Sequence, residues 1–242
     1  MYSFGVIGDT TSPASDLAIV PSHLEQLNFV IEHYGNGPFA FQGFPTPLFA
    51  DIIRINCFRQ RATKSLPIIE TEDLTYEAYE ILNRIQSFSS EQWAESKLPS
   101  RREEWTLLGN IRQAAVALYC IHSLQSTSVL PLIPFLRESC FLHSQQLQRL
   151  LKRAIPLPSL RLFMLWPLVV LGVEAVNGDL SMQAFVQEKL SELSRYTGML
   201  APLTAKDVLE RFWNSGRTDW DSCFERPYAF IMVPAVDVSK LS

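Results

Sequence analysis

The chain has 242 residues, 47% of them hydrophobic and 19% charged, with a formal net charge of -4. That is the balance of a chain that buries one large core or two modest ones, and it excludes a disordered or low-complexity protein. Negative net charge also removes any global attraction to nucleic acid or to an anionic membrane surface.

Residues 1–21 mix Gly, Thr, Ser and Pro in a pattern that predicts an irregular lead-in. Leu24, Leu27, Phe29, Val30 and Ile31 predict a short helix ending at Gly35. The following stretch to Pro47 carries Gly, Pro and three phenylalanines, so it is expected to be a loop whose aromatic rings pack onto the body of the protein. A structural strap and an aromatic ligand lid are both compatible with it. Thr46 before Pro47 predicts a helix start, with Thr46 as N-cap. Leu48, Phe49, Ile52, Ile53, Ile55 and Phe58 then recur at helical spacing to about Ala62. A second helix is expected over 72–86, with Leu74, Ala78, Ile81, Leu82 and Ile85 inward. Residues 87–100 read as a polar connector holding Trp93 and one helical turn.

A long helix is expected from Glu103 to about Leu124, with Trp105, Leu108, Ile111, Ala115, Leu118, Tyr119 and Ile121 inward. Another follows over 135–154, with Leu136, Cys140, Phe141, Leu147, Leu150 and Leu151 inward and a basic, solvated end at Arg149, Lys152 and Arg153. Leu160 to Glu174 is apolar on almost every face, which places it at the centre of a bundle, because a membrane span needs about 20 such residues. Pro167 requires that this helix bend or restart with Pro167 in its first turn. Gly172 would admit a close neighbour. Beyond it, Met182 to Leu193 and Val208 to Trp213 predict two more helices, the first stopped by Gly198. Thr204 with Asp207, and Thr218 with Asp221, resemble capping boxes. The apolar segment from Arg226 to Val233 is expected to dock on the bundle. The fold class is therefore all-α, an irregular helical bundle around a central apolar helix at about 160–174. Three parts are expected: an irregular lead-in at 1–46, a helical regulatory-type domain at 47–233, and a tail at 234–242.

Chemistry-bearing motifs are absent from the sequence. It has no phosphate-cradling glycine motif and no nucleophile elbow. Cys57, Cys120, Cys140 and Cys223 lack metal-ligand spacing and read as buried thiols of a reducing compartment. His23, His33, His122 and His143 stand far apart. Glu70, Glu72 and Asp73 read as a surface linker. Glu174, at the end of the apolar helix, would need a partner if buried, and a salt bridge or backbone cap is the expected one. No catalytic, cofactor-binding or metal-ligating residue is assigned from sequence. Phe163, Trp166 and Trp213 are the side chains that could line an apolar pocket.

The segment Met164 to Ala175 with its Trp166-Pro167 pair, the helix through Leu193, Thr197-Gly198 and Ala205 to Trp213 resemble the C-terminal part of the regulatory domain of fungal-specific transcription factors. Asp219-Trp220 and Pro227 to Phe230 resemble its terminal segment, and Phe44 to Asn56 a helix found upstream. The likeness runs from about Gly43 to Val233. Such proteins typically carry a six-cysteine binuclear zinc cluster, which four isolated cysteines cannot make, so direct DNA binding by this chain is not implied. The resemblance implies a nuclear regulatory module, otherwise cytoplasmic, of the kind found in secondary metabolism. It would act by binding a protein partner, a second copy or a small apolar effector, with no cofactor and no membrane span. A small helical enzyme acting on an apolar metabolite and a plain interaction scaffold are the alternatives.

Overall fold

The computed structural model describes residues 2–18, 25, 43–63, 68–97 and 99–230. Nearly all of the helix expected at 24–35, most of the Gly/Pro/Phe loop, and the tail at 234–242 lie outside them. Among the described residues every regular element is helical. In chain order these are α1 (Tyr2–Thr10), α2 (Thr46–Ala62), α3 (Ile68–Ser87), α4 (Ser90–Glu95) and α5 (Arg102–Ser126). They continue with α6 (Pro134–Ala154), α7 (Pro158–Arg161), α8 (Leu165–Glu174), α9 (Leu180–Thr197), α10 (Ala201–Asn214) and α11 (Trp220–Cys223). The all-α expectation holds.

All ten residues of α8 are buried, and each fully buried Leu or Val among them contributes about 1.5–3 kcal/mol. Its neighbours are α5, α6, α9 and α10, while α5 touches α2, α3, α4, α6, α8 and α11. The centre of the bundle is thus shared between α8 and the longer α5. The expected 160–174 helix is interrupted: α7 ends at Arg161, and α8 starts again at Leu165 with Pro167 in its first turn. Restarting there avoids the clash that Pro167 would cause inside a continuous helix. Gly172 fulfils its expected role. A Cβ there would lie 2.4 Å from Leu209 Cδ1 of α10, so glycine is what lets the two helices meet.

Several local expectations are corrected. Residues 2–10 form α1 although Gly5 and Gly8 weaken a helix, because Val6 and Ile7 are buried and the end of the helix is tied into the core. Helix α2 is capped by Pro45 with no side-chain bond, and Thr46 is already helical. Helix α3 begins at Ile68, so Glu70, Glu72 and Asp73 belong to its first turns and not to a linker. Phe141 faces solvent: the inward stripe of α6 runs through Leu136, Cys140, Ser144, Leu147 and Leu151, and Phe141 lies one residue round from it. Helix α10 starts at Ala201 with Pro202 in its first turn, so Thr204 does not cap it. Asp219, not Thr218, caps α11 by accepting from Ser222 N. Gly198 does stop α9, in the left-handed conformation at φ 68°.

Candidate functional site

The end of α1 is bonded to four other parts of the chain through one buried polar hub. Arg59 of α2 donates through Nη1 to the Asp9 carbonyl (2.9 Å) and to Tyr119 Oη (3.1 Å). Its Nη2 donates to the Ser12 carbonyl (2.7 Å) and pairs with Asp221 Oδ1 (2.5 Å). Tyr119 Oη in turn donates to Asn56 Oδ1, whose amide nitrogen donates to the Val6 carbonyl. Thr10 accepts from both tryptophans of the hub: Trp166 Nε1 reaches its hydroxyl at 2.8 Å and Trp220 Nε1 its carbonyl at 2.9 Å. Thr11 and Tyr228 exchange bonds through the Thr11 hydroxyl and the Tyr228 amide, docking the C-terminal segment beside α1. A buried cation this well bonded fixes geometry. The Arg59 Nε, also buried, has no hydrogen-bond partner.

Phe163, Trp166 and Trp213 are not brought together into one apolar pocket. Trp166 packs against Phe44 and Tyr119. Phe163 lies against Gly43. Trp213 sits at the far end of α8, donating to the Gly172 carbonyl at 2.8 Å. The buried Arg112 guanidinium stacks over Phe44 (4.6 Å) and Trp166 (6.0 Å) and donates to the Gly43 carbonyl at 3.0 Å. Burial pulls its pKa down, yet a guanidinium keeps its proton in water-accessible pH ranges, so Arg112 remains a cation held on aromatic faces. Between α2 and α3 an open groove of about 440 Å³ is lined by Arg54, Arg61, Arg84, Glu77 and Glu80 beside Cys57 and Phe58. Its charged rim does not suit an apolar ligand.

Glu174 has the partner its burial demands. His122 of α5 places Nε2 2.6 Å from Glu174 Oε2. The ring N–H points off that line, so the contact is charge–charge and not an aligned hydrogen bond. Cys140 of α6 completes the group: the His nitrogen, the thiol sulfur and the carboxylate oxygen all lie within 4.8 Å of one another, and all three residues are buried. Burial alone would pull the His122 pKa down, but the Cys140 sulfur and the Glu174 carboxylate outweigh it and push it up to about 10. The sequence placed these residues 18 and 34 positions apart on three helices, so no local spacing could reveal them. None of the three lines the groove between α2 and α3.

The outer surface carries a second feature. Just before α6 and along its N-terminal half, Leu132 (85% exposed), Phe135 (64%), Phe141 (57%) and Leu142 (59%) present large apolar side chains to solvent. Exposed apolar side chains are ordinary when scattered singly; here Phe135 and Leu142 stand seven residues, about two turns, apart on the same helix. Among the described residues no helix is long and apolar enough to cross a membrane.

Comparison with known proteins matches this arrangement to a family. The fungal specific transcription factor domain model covers residues 1–232, including the N-terminal stretch that the sequence patterning left outside the domain. The phomenoic acid biosynthesis cluster-specific transcriptional regulator of Leptosphaeria maculans is 47% identical over 243 residues, covering 100% of this chain and 46% of that protein. The chain thus spans about half the length of the curated relative it matches. No solved structure matches it. With α1 tied into the same core as the Trp166-Pro167 helix, and the match running across both, the chain belongs to the fungal specific transcription factor domain family.

Proposed function

We propose that this chain is the regulatory domain of a transcription regulator serving a biosynthetic gene cluster, working in the nucleus by binding and not by catalysis. The observation that carries this reading is the identity of 47% with a cluster-specific regulator across the whole chain. Protein association is the mode of action that the surface favours. Leu132, Phe135, Phe141 and Leu142 expose apolar area where a monomer gains nothing from it. A partner protein or a second copy would bury it. A small apolar effector has weaker support, since the groove between α2 and α3 is charged and open. Direct contact with DNA is not ascribed to this chain, whose net charge is -4.

Phe135→Ser/Leu142→Ser, introduced at the chromosomal locus, tests the reading. Both side chains are exposed, so the protein should fold and accumulate at its normal level. The regulated transcripts should fall toward the level of a null allele. Unchanged transcripts at unchanged protein level would overturn the proposed surface.

A further inference from the structure

We propose that His122, Cys140 and Glu174 form a zinc-type transition-metal site that ties α5, α6 and α8 together. Thiolate, imidazole and carboxylate are the donor types that zinc takes, and here one of each comes from a different helix. Their donor atoms lie within 4.8 Å of one another. Tetrahedral ligands at zinc-like bond lengths sit about 3.5 Å apart. The His–Glu pair at 2.6 Å therefore opens by about 1 Å on loading.

His122 Nε2 is the second observation that points to a ligand. It is buried, it is ion-paired with the Glu174 carboxylate at 2.6 Å without an aligned hydrogen bond, and it lies within 4.8 Å of the Cys140 sulfur. A buried polar atom left without a bond is costly, and a metal bond would remove that cost. Charge agrees as well. A dication with one thiolate, one carboxylate and one neutral imidazole has no net charge, the condition an apolar interior demands. On loading, the proton of the Cys140 thiol and that on His122 Nε2 leave for solvent as the two metal bonds form. Three protein ligands leave a fourth position for water.

A supporting hydrogen bond is present. Asn177, exposed on the turn after α8, donates through Nδ2 to Glu174 Oε2 at 3.3 Å. That bond orients the carboxylate as outer-shell partners of metal ligands do, and it links the buried group to the surface. The site is independent of which partner the α6 surface binds.

The test uses the purified 242-residue chain, stripped with a chelator and re-equilibrated with zinc or with cobalt as a spectroscopic probe. Elemental analysis after gel filtration should find about one zinc per chain, and cobalt should give a thiolate-to-metal charge-transfer band. Cys140→Ser should abolish the band, and Glu174→Gln should weaken binding about tenfold or more. Cys223→Ser, which removes a buried thiol on α11, should change neither. If circular dichroism shows that the Cys140 variant is unfolded, X-ray absorption of the zinc-loaded wild type decides instead. One sulfur with nitrogen and oxygen neighbours supports the site. A sulfur-free shell, or wild-type retention below about half an equivalent, overturns it.

Discussion

Gly172→Ala should destabilise the protein although it improves the helix. In an ordinary helix interior, Ala is favoured over Gly by about 0.8–1.0 kcal/mol. At position 172 the added Cβ would lie 2.4 Å from Leu209 Cδ1, 3.0 Å from its Cδ2 and 3.2 Å from its Cγ. Leu209 is fully buried, so its side chain cannot swing clear into solvent. Forcing a methyl into a packed core costs about 1–3 kcal/mol. The Gly172 carbonyl is also bonded to Trp213 Nε1, which resists a backbone shift away from α10. The net expectation is a loss of up to about 2 kcal/mol, read as a lower urea midpoint at unchanged slope. Leu209→Ala supplies the control. Alone it should cost about 2–5 kcal/mol by opening a cavity. In that background Gly172→Ala should become neutral or stabilising, because its methyl then occupies vacated space. A Gly172→Ala variant more stable than wild type, or one whose cost is the same in both backgrounds, would refute the close approach of α8 and α10.

Trp166→Ala should cost about 3–5 kcal/mol, since it empties the space between Phe44 and Tyr119 and removes the bond to Thr10; an unchanged melting temperature would place the ring at the surface. Arg59→Met should cost about 3 kcal/mol by leaving Asp221 and the carbonyls of Asp9 and Ser12 without their donor. Limited proteolysis of that variant should release α1 first, and a protected α1 would contradict the hub. Asp51, whose pKa burial raises against the pull of Arg84 and Arg54, keeps its proton in the folded state at pH values where the unfolded chain has lost it. Its contribution is therefore present at low pH and declines as pH rises from the ordinary carboxylate range through the raised folded value. Asp51→Asn should flatten that decline in urea titrations taken across pH, and an identical pH profile would contradict the assignment. Fluorescence anisotropy at physiological salt should find no sequence-selective duplex binding by the isolated chain; sub-micromolar selective binding would contradict the proposal that this chain acts without contacting DNA directly.

Periodicity carried the helices because each buries a continuous stripe: Leu48 to Phe58, Leu74 to Ile85 and Leu108 to Ile121 are buried as their spacing requires. It failed where tertiary bonds outweigh local preference. Residues 2–10 contain two glycines, and their helix is held by Arg59, Asn56 and Trp166, which are distant in sequence. Capping boxes at 204 and 218 failed because the helices start at other residues, α10 at Pro202's turn and α11 after Asp219. The conflict at Glu174 was legible as a buried carboxylate in need of a partner. Its partners were not, because His122 and Cys140 meet it only through the packing of three helices.

Transcript profiling after deletion of the gene tests the regulatory reading most directly. Expression of a contiguous set of biosynthetic genes should change together, and re-introduction of the wild-type gene should restore it. Unaltered transcripts, with one substrate accumulating that the purified protein converts, would contradict regulation and assign the chain to catalysis.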